Sequence, residues 1–356
     1  MDKLQKMLKG LDLRTMTGVE IGALTSPLVG RADGEIIYVD HADTETLRRK
    51  CAADANVDVS RIVEVDAVWG SNTLQQAIGE GRKADYVIAS HVVEHVPDLL
   101  SWLAEIQGVL RPTGTLRLAV PDRRFTFDFL RQETRLSDIL NARLAAARAP
   151  LPAQILDCVS EVVVLDTAAA WRGEVDRTSG LPRMHSIVGA IALAEDALRN
   201  GSYHDVHCWV FTPGSFARLL GRAAAQGLHG FACVDSYDTE PGELEFQVIL
   251  QPCADREAAA ASWERMARAM REDVPGSVDA ELKRLHREGA SARQRLAEAA
   301  HQVETAQQRL AETTADAAAL RAGVSAAQRR IAELEASTSW RITGPLRALA
   351  RSLRRV

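Results

Sequence analysis

The hydrophobic pattern divides the chain into two parts with different periods. Up to about residue 252, short apolar runs alternate with polar segments and with stretches of helical spacing. From Leu282 onward, apolar residues recur in a heptad pattern. A short apolar run is typical of a strand buried on both faces, and a spacing of three and four is typical of one helix face. The sequence therefore predicts an α/β domain over 1–253 followed by a long helical segment.

The clearest unit of the predicted domain lies in residues 84–124. It predicts a strand at 85–89, a polar loop, a helix and a second strand at 115–120. Two strands joined by a helix within about 35 residues form a parallel, right-handed βαβ unit. Ligands of such sheets bind beyond the carboxyl ends of the strands. In this unit those ends carry Ser90, His91 and Asp122.

Further strands complete a doubly wound sheet. Apolar runs predict three earlier strands at 19–22, 35–40 and 61–66, with helical segments between them. A strand pair at 231–237 and 244–250 is expected to close the sheet. Alternating strands and helices of this kind predict an open, mostly parallel α/β sheet.

Residues 125–205 form an insertion much longer than an ordinary connection between sheet strands. Apolar residues at helical spacing predict helices at 155–165 and 187–198 within it. An insertion at this point predicts a helical lid over the carboxyl ends of the strands. Such a lid would shape an acceptor pocket and exclude water.

The strings SHVVEHVPD and VLRPTGTLRLAVPD, within residues 90–122, resemble the region of the fourth and fifth strands in class I S-adenosylmethionine-dependent methyltransferases. The resemblance covers about 15–125 and the strand pair near 231–251. It implies a Rossmann-like sheet with an antiparallel edge strand, and S-adenosyl-L-methionine as the cofactor.

The acids that follow successive strands suit that cofactor. A carboxylate at the end of the second strand accepts hydrogen bonds from both ribose hydroxyls, and Asp40 has that place, 18 residues after Gly22. An aspartate at the end of one strand is usually only a turn former. Here three successive predicted strands end at or near an acid (Glu20, Asp40 and Asp66), and this favours the cofactor interpretation. The cofactor residues that the resemblance implies are Glu20, Gly22, Ala23, Asp40, Asp66, Ala67, Ser90 and His91.

The first motif departs from the family pattern. Two of its three glycines are replaced, by Leu24 and Ser26, and glycine is the residue that lets the backbone approach a ligand closely. A catalytically degenerate scaffold protein of this fold is therefore one alternative. An NAD-dependent nucleotide-sugar enzyme is a second, against which the missing phosphate-cradling glycines argue.

Asp122 and His207 are the candidate catalytic residues on the acceptor side. His207 follows Asp205 in a loop before the predicted helix at 216–226. A histidine beside a carboxylate is a plausible general base for a hydroxyl acceptor. The alternative is that His207 and Trp209 only fix the loop.

No metal site is predicted. His91 and His95 are four residues apart, which suits a metal pair on a helix, but Pro97 disfavours helix at Val96. No third ligand lies nearby in the sequence. The interpretation is that Glu94 and His95 order the loop.

Composition and charge narrow the protein class. The net charge of −5 gives no argument for nucleic-acid binding. Five scattered cysteines without a C-x-x-C pair fit a reducing cytoplasm rather than a disulfide framework or structural zinc. Neither a signal peptide nor a run of about 18 apolar residues is visible, so a cytoplasmic location is expected.

The C-terminal third predicts association. A linker helix is expected at 254–278, a coiled coil at 279–336 that self-associates, and a basic amphipathic tail at 337–356. The tail pattern favours the inner membrane surface or a partner protein, with almost equal weight. Its string STSWRITGPLR resembles tails of bacterial enzymes that build surface polysaccharides. That resemblance implies a sugar hydroxyl of a surface polysaccharide or lipid-linked glycan as the acceptor.

Overall fold

The computed structural model describes residues 1–54, 57–70, 72–177, 179–271 and 278–347. Contacts between residues divide the chain into two compact units. The first is Met1–Glu281, and the second begins at Leu282.

The first unit contains a seven-stranded sheet. The strands are β1 (Thr17–Ile21), β2 (Glu35–Asp40), β3 (Ala67–Val68), β4 (Ala84–Ser90), β5 (Leu110–Pro121), β6 (Phe231–Tyr237) and β7 (Glu245–Pro252). Their order is β3-β2-β1-β4-β5-β7-β6. Strands β1 to β5 pair in parallel, whereas β7 runs antiparallel to both β5 and β6. The predicted fold class is confirmed.

Helices cover the sheet and form the insertion. They are α1 (Lys3–Leu8), α2 (Thr44–Cys51), α3 (Leu74–Ile78), α4 (Leu99–Val109), α5 (Leu136–Leu144), α6 (Pro152–Glu161), α7 (Thr167–Trp171), α8 (Ile187–Asn200), α9 (Pro213–Ala225) and α10 (Arg256–Ala269). Side-chain caps fix several starts. The Asp98 carboxylate accepts from Ser101 N at the start of α4, and Thr212 caps α9, whose first residue is Pro213. Proline suits that first position because its missing N–H would have no partner there.

The central strand β4 is buried on both faces, as its apolar sequence predicts. Val87 packs in the large cluster that includes α4, and Ile88 packs in a second cluster that includes Met7 of α1. Burial of both faces explains why this strand lacks the alternation of a half-exposed one.

The third strand is not where the sequence predicts it. It is Ala67–Val68, and residues 61–66 lie outside it. The Asp66 carboxylate accepts a hydrogen bond from the backbone N–H of Tyr38 in β2, at 2.8 Å. Because that N–H is taken by a side chain, the regular pairing of β2 with β3 begins only at Val39 and Ala67. A pattern of apolar residues does not reveal this competition.

The insertion contacts the loop that follows β4. The predicted helices at 155–165 and 187–198 are confirmed as α6 and α8. The segment after α8 also contacts that loop, because the Trp209 indole N–H donates to the Val96 carbonyl at 2.6 Å. This part of the chain therefore lies beside the carboxyl end of β4.

The helix predicted as a linker is part of the first unit. It is α10, and its Trp263 is fully buried, with the indole N–H donating to the Phe231 carbonyl at 3.0 Å. Trp263 also meets the Phe216 ring of α9. The first unit therefore extends past residue 253.

The second unit contains nearly all of a long helix, α11 (Val278–Ala336), and a short helix, α12 (Thr338–Ile342). At 1.5 Å per residue the 59 residues of α11 span about 90 Å. The last part of the predicted basic tail, 348–356, lies outside the described residues. Among described helices, none has the length and apolar content needed to cross a membrane.

Candidate functional site

The loop after β1 is pinned by a buried carboxylate. Glu20 accepts hydrogen bonds from the backbone N–H of Leu28 at 2.7 Å and of Val29 at 3.2 Å. Burial raises the pKa of Glu20, and the two N–H donors only partly oppose that effect. This predicted cofactor residue therefore acts on the loop, which it holds against the end of β1.

The same loop has a left-handed turn at two positions. Gly22 has φ +69°, its N–H donates to the Val39 carbonyl at 2.9 Å, and an added Cβ would lie 2.8 Å from Val92 Cγ2. Leu24 has φ +45°, although it stands where the family motif has glycine. The backbone is thus left-handed at both positions, although only one of them is glycine. Ala23, between them, is buried.

Asp40 ends β2 beside this loop. Since Ile21 is in register with Val39, the end of β2 adjoins the start of the loop after β1. The Asp40 carboxylate is mostly buried and accepts from the backbone N–H of His41 at 2.7 Å. It is therefore held at the carboxyl edge of the sheet, where its predicted role places it.

Asp66, one of the cofactor residues that the resemblance implies, is bound by other residues of the chain. It precedes β3 instead of ending it, and Arg31 contacts both of its carboxylate oxygens, at 2.9 and 3.0 Å. With Tyr38 N–H as a further donor, this carboxylate joins β2 to the loop that contains Arg31. Ala67 is buried within β3.

His91 follows Ser90 at the end of β4. It has a positive φ of +53°, and its backbone N–H donates to the Ala119 carbonyl at 3.0 Å. Its Nε2 is paired with Glu245 of β7, which also binds Lys3. Burial opposes ionisation of Glu245, but the hydrogen bonds from His91 and Lys3 outweigh it and lower its pKa to about 2.

Asp122 is not accessible to an acceptor. It is 0 % exposed, and its carboxylate is bound by the Arg124 guanidinium and by the Thr239 hydroxyl at 2.7 Å. It also caps the backbone N–H of Arg124 at 3.0 Å. The prediction that Asp122 takes part in chemistry is therefore not supported by its geometry, because its oxygens are occupied by structural partners.

His207 lies in a buried network of charges. Its Nδ1 is 2.6 Å from Asp128, which also accepts from Arg131 at 2.7 Å. Burial raises the pKa of Asp128, but His207 and Arg131 outweigh that effect and leave it lowered. The expected pairing of His207 with a carboxylate is present, but the carboxylate is Asp128 instead of the neighbouring Asp205.

Glu94 and His95 complete a cluster with His207. One ligand atom from each of the three side chains lies within 4.8 Å of those from the other two. The third member of the cluster does not lie near Glu94 and His95 in the sequence, and the fold supplies His207, which comes 112 positions after His95. No local spacing in the sequence reveals that encounter.

His95 is also tied to a carboxylate. Its Nδ1 is 2.9 Å from Asp205. Burial lowers the pKa of His95, but the hydrogen bond to Asp205 and the charge of Glu94 outweigh burial and leave that pKa raised. Asp205 therefore binds His95 instead of its expected partner, His207.

A sheet of this order, with β7 reversed and the site at its carboxyl edge, defines the class I methyltransferase architecture. Residues 14–228 match the model of a family described as a methyltransferase domain. The match covers more than half of the chain, and the protein belongs to this methyltransferase domain family.

Solved structures that are similar to this chain include other methyltransferases. The CcbJ methyltransferase from Streptomyces caelestis is 12% identical, with 70% of this chain and 89% of that chain covered and a TM-score of 0.35. The CurJ carbon methyltransferase is 14% identical, with 70% and 51% covered and a TM-score of 0.33. The present chain thus spans about half the length of CurJ. No curated protein sequence matches this chain significantly.

Proposed function

We propose that the first unit transfers the methyl group of S-adenosyl-L-methionine to an oxygen of a hydroxyl-bearing acceptor. Membership of the methyltransferase domain family carries this proposal. In the transfer the bond from the methyl carbon to sulfur breaks, and its electron pair stays on sulfur to give S-adenosylhomocysteine. The acceptor oxygen forms the new bond to carbon and loses its proton.

The cofactor would bind along the carboxyl ends of β1, β2 and β4. Asp40 is held there and offers a carboxylate to the ribose hydroxyls. The loop after β1, fixed by Glu20, presents backbone at Gly22 and Ala23. Ser90 and His91 would form the floor of this site. The protein would supply alignment of the methyl group and exclusion of water.

His207 is the proposed base for the acceptor hydroxyl. Its Nδ1 is held by Asp128 at 2.6 Å, which orients the ring and supports a positive charge on it during proton transfer. The insertion residues around it would shape the acceptor pocket. Phe127 contacts the His207 ring, with centroids 4.7 Å apart.

The proposed acceptor is a sugar of a surface polysaccharide or lipid-linked glycan. The likeness of the tail to those of surface-polysaccharide enzymes supports this choice. In the described part of the tail, Trp340, Ile342 and Leu346 are exposed. Exposed apolar residues near arginines suit the anionic inner face of a cell membrane or a glycan-assembly partner, and the protein would act there from the cytoplasm.

A calorimetric titration of the full chain with S-adenosylhomocysteine tests the cofactor assignment. We expect binding, and we expect Asp40→Ala to weaken it at least about tenfold, because a hydrogen bond to a charged group is worth about 1.5–3 kcal/mol. The matched control is Asp85→Ala. Asp85 lies at the amino end of β4 and binds the Thr17 N–H and Arg111 there, so its removal should leave the affinity unchanged.

NAD serves as the second ligand in the same titration. Binding of NAD in place of S-adenosylhomocysteine would favour the nucleotide-sugar enzyme. Binding of neither ligand would favour the degenerate scaffold. Equal affinities for wild type and Asp40→Ala would reject the role of Asp40 while leaving the cofactor itself in place.

A further inference from the structure

Glu94 has an unusual environment for a carboxylate. Its side chain is 1 % exposed, and within the described residues neither carboxylate oxygen has a hydrogen-bond partner. The nearest basic atoms are His91 Nδ1 at 3.6 Å and His95 Nε2 at 4.0 Å, both beyond hydrogen-bond reach. A buried carboxylate without a hydrogen-bond partner is costly, so this position suits a positively charged ligand.

His95 and His207 face the same space, and one ring nitrogen of each is already bound to a carboxylate. His95 Nδ1 is bound to Asp205 and His207 Nδ1 is bound to Asp128. A carboxylate on one ring nitrogen favours the lone pair on the other and orients the ring. That arrangement of carboxylate, histidine and metal recurs in metal sites.

The backbone holds the two parts of this cluster together. The Glu94 carbonyl accepts from the Cys208 N–H at 2.6 Å and from the Trp209 N–H at 3.2 Å. The residue before Cys208 is His207, so these hydrogen bonds fix its distance from Glu94. The cluster is therefore held by main-chain contacts on both sides and does not depend on flexible side chains for its assembly.

We propose that Glu94, His95 and His207 bind one divalent transition-metal ion. Two imidazole nitrogens and one carboxylate oxygen suit Zn²⁺, Mn²⁺, Fe²⁺ or Co²⁺, whereas Mg²⁺ and Ca²⁺ prefer oxygen ligands alone. The positive ion would compensate the Glu94 charge. Asp205 and Asp128 would be the outer partners that orient the two histidines.

The metal would have a role at the acceptor, and this role rests on the proposed methyl transfer. Three protein ligands leave coordination positions open, and an acceptor hydroxyl bound there loses its proton more easily. In the metal-bound protein, His207 would be a ligand through Nε2 and would not act as the base. The hydroxyl proton would pass to water, and the oxygen would then attack the methyl carbon as the bond from that carbon to sulfur breaks.

The test measures metal binding without any methyl transfer. The full chain is treated with EDTA, dialysed, and titrated with Zn²⁺ and with Co²⁺, and bound metal is then counted by mass spectrometry. We expect one equivalent of tightly held metal. Glu94→Gln keeps the side-chain shape but loses the charge, and it should weaken binding at least about tenfold.

A matched histidine control lies in the same loop. His204 is bound to Asp196 at 2.8 Å, outside the cluster, so His204→Gln should retain full metal binding. Thermal melts separate binding from folding. Without metal, Glu94→Gln should melt no lower than wild type because a buried charge has been removed, and added metal should raise the melting temperatures of wild type and His204→Gln more than that of Glu94→Gln.

Two results would overturn the proposal. One is wild-type protein that holds less than a tenth of an equivalent after dialysis and shows no metal-dependent melting shift. The other is equal binding by wild type and Glu94→Gln, which would place the metal elsewhere. Titration with S-adenosylhomocysteine in the metal-free protein stays a separate measurement, so either failure is distinguishable from failure of the cofactor site.

Discussion

At the scale of single residues, Leu24 explains how the loop after β1 keeps its shape. Its φ of +45° is a conformation that side chains rarely adopt and that glycine adopts freely. The replacement of a motif glycine here therefore did not remove the turn. Glu20 accepts hydrogen bonds from the backbone N–H groups of Leu28 and Val29 at the far end of the loop. These contacts hold the loop and stabilise the strained conformation of Leu24.

Substitutions at Leu24 test that explanation. Leu24→Gly removes the strain but adds freedom to the unfolded chain, so we expect the free energy of unfolding to stay within about 1 kcal/mol of wild type. Leu24→Ile places a β-branched residue at a positive φ and should lower it by about 1–2 kcal/mol. Urea unfolding measures both. A Leu24→Ile protein as stable as Leu24→Gly would contradict the left-handed turn.

The predicted site residues differ in how closely their positions and partners in the structure agree with their expected places. Asp40 and Gly22 lie at the carboxyl edge of the sheet, where strand ends and chain spacing predict them. Asp122, like Asp40, follows a predicted strand. Its carboxylate, however, is bound by the guanidinium of Arg124, two residues later in the chain. Sequence spacing says where a side chain is attached and not which partner occupies it.

The cluster of Glu94, His95 and His207 marks the limit of sequence reasoning in the site. Its members come from two loops that are far apart in sequence and are joined by hydrogen bonds from the Cys208 and Trp209 N–H groups to the Glu94 carbonyl. Their proximity follows from tertiary contacts that local patterns do not contain.

At the scale of elements, strands were predicted best where their pattern is uninterrupted. The bounds of β2 and β6 agree with the predictions, and the reversed pair β6 and β7 is confirmed. The strand β3 was misplaced because a side chain of Asp66 replaces part of its ladder. Helix α10 falls in the segment predicted as a linker, and the burial of its Trp263 against the first unit follows from tertiary contacts that the sequence does not reveal.

Substitution of Trp263 tests how strongly α10 packs against the rest of the first unit. The Trp263 ring is fully buried, so Trp263→Ala should lower the free energy of unfolding by about 3–5 kcal/mol. The neighbouring Glu264 is exposed and forms a surface ion pair with Arg268, so Glu264→Ala should change the free energy of unfolding by less than about 0.5 kcal/mol. Urea unfolding distinguishes the two variants. It is followed by far-ultraviolet circular dichroism, which reports on the helices and not on tryptophan fluorescence. Similar small effects of both substitutions would mean that α10 is a loosely attached linker.

At the scale of the whole molecule, α11 has no core of its own. Its heptad residues are exposed along the described helix, for example Leu296, Leu310 and Leu320. A lone helix gains little stability in water without packing of an apolar face. An apolar residue at alternating spacings of three and four instead fits a seam between helices. We therefore expect α11 to pair with α11 of other copies.

Two double variants test this association with the same chemical change. Leu310→Asp with Leu320→Asp places charges in the seam, where burying them is costly, and should convert the oligomer into monomer. Gln308→Asp with Ala322→Asp places the same charges on the opposite face of the helix and should leave the oligomer intact. Light scattering during size exclusion, repeated over a tenfold range of concentration, gives the mass of each. A monomeric wild type would show that the heptad pattern serves another partner, and an oligomer that survives both double variants would place the contact in the first unit.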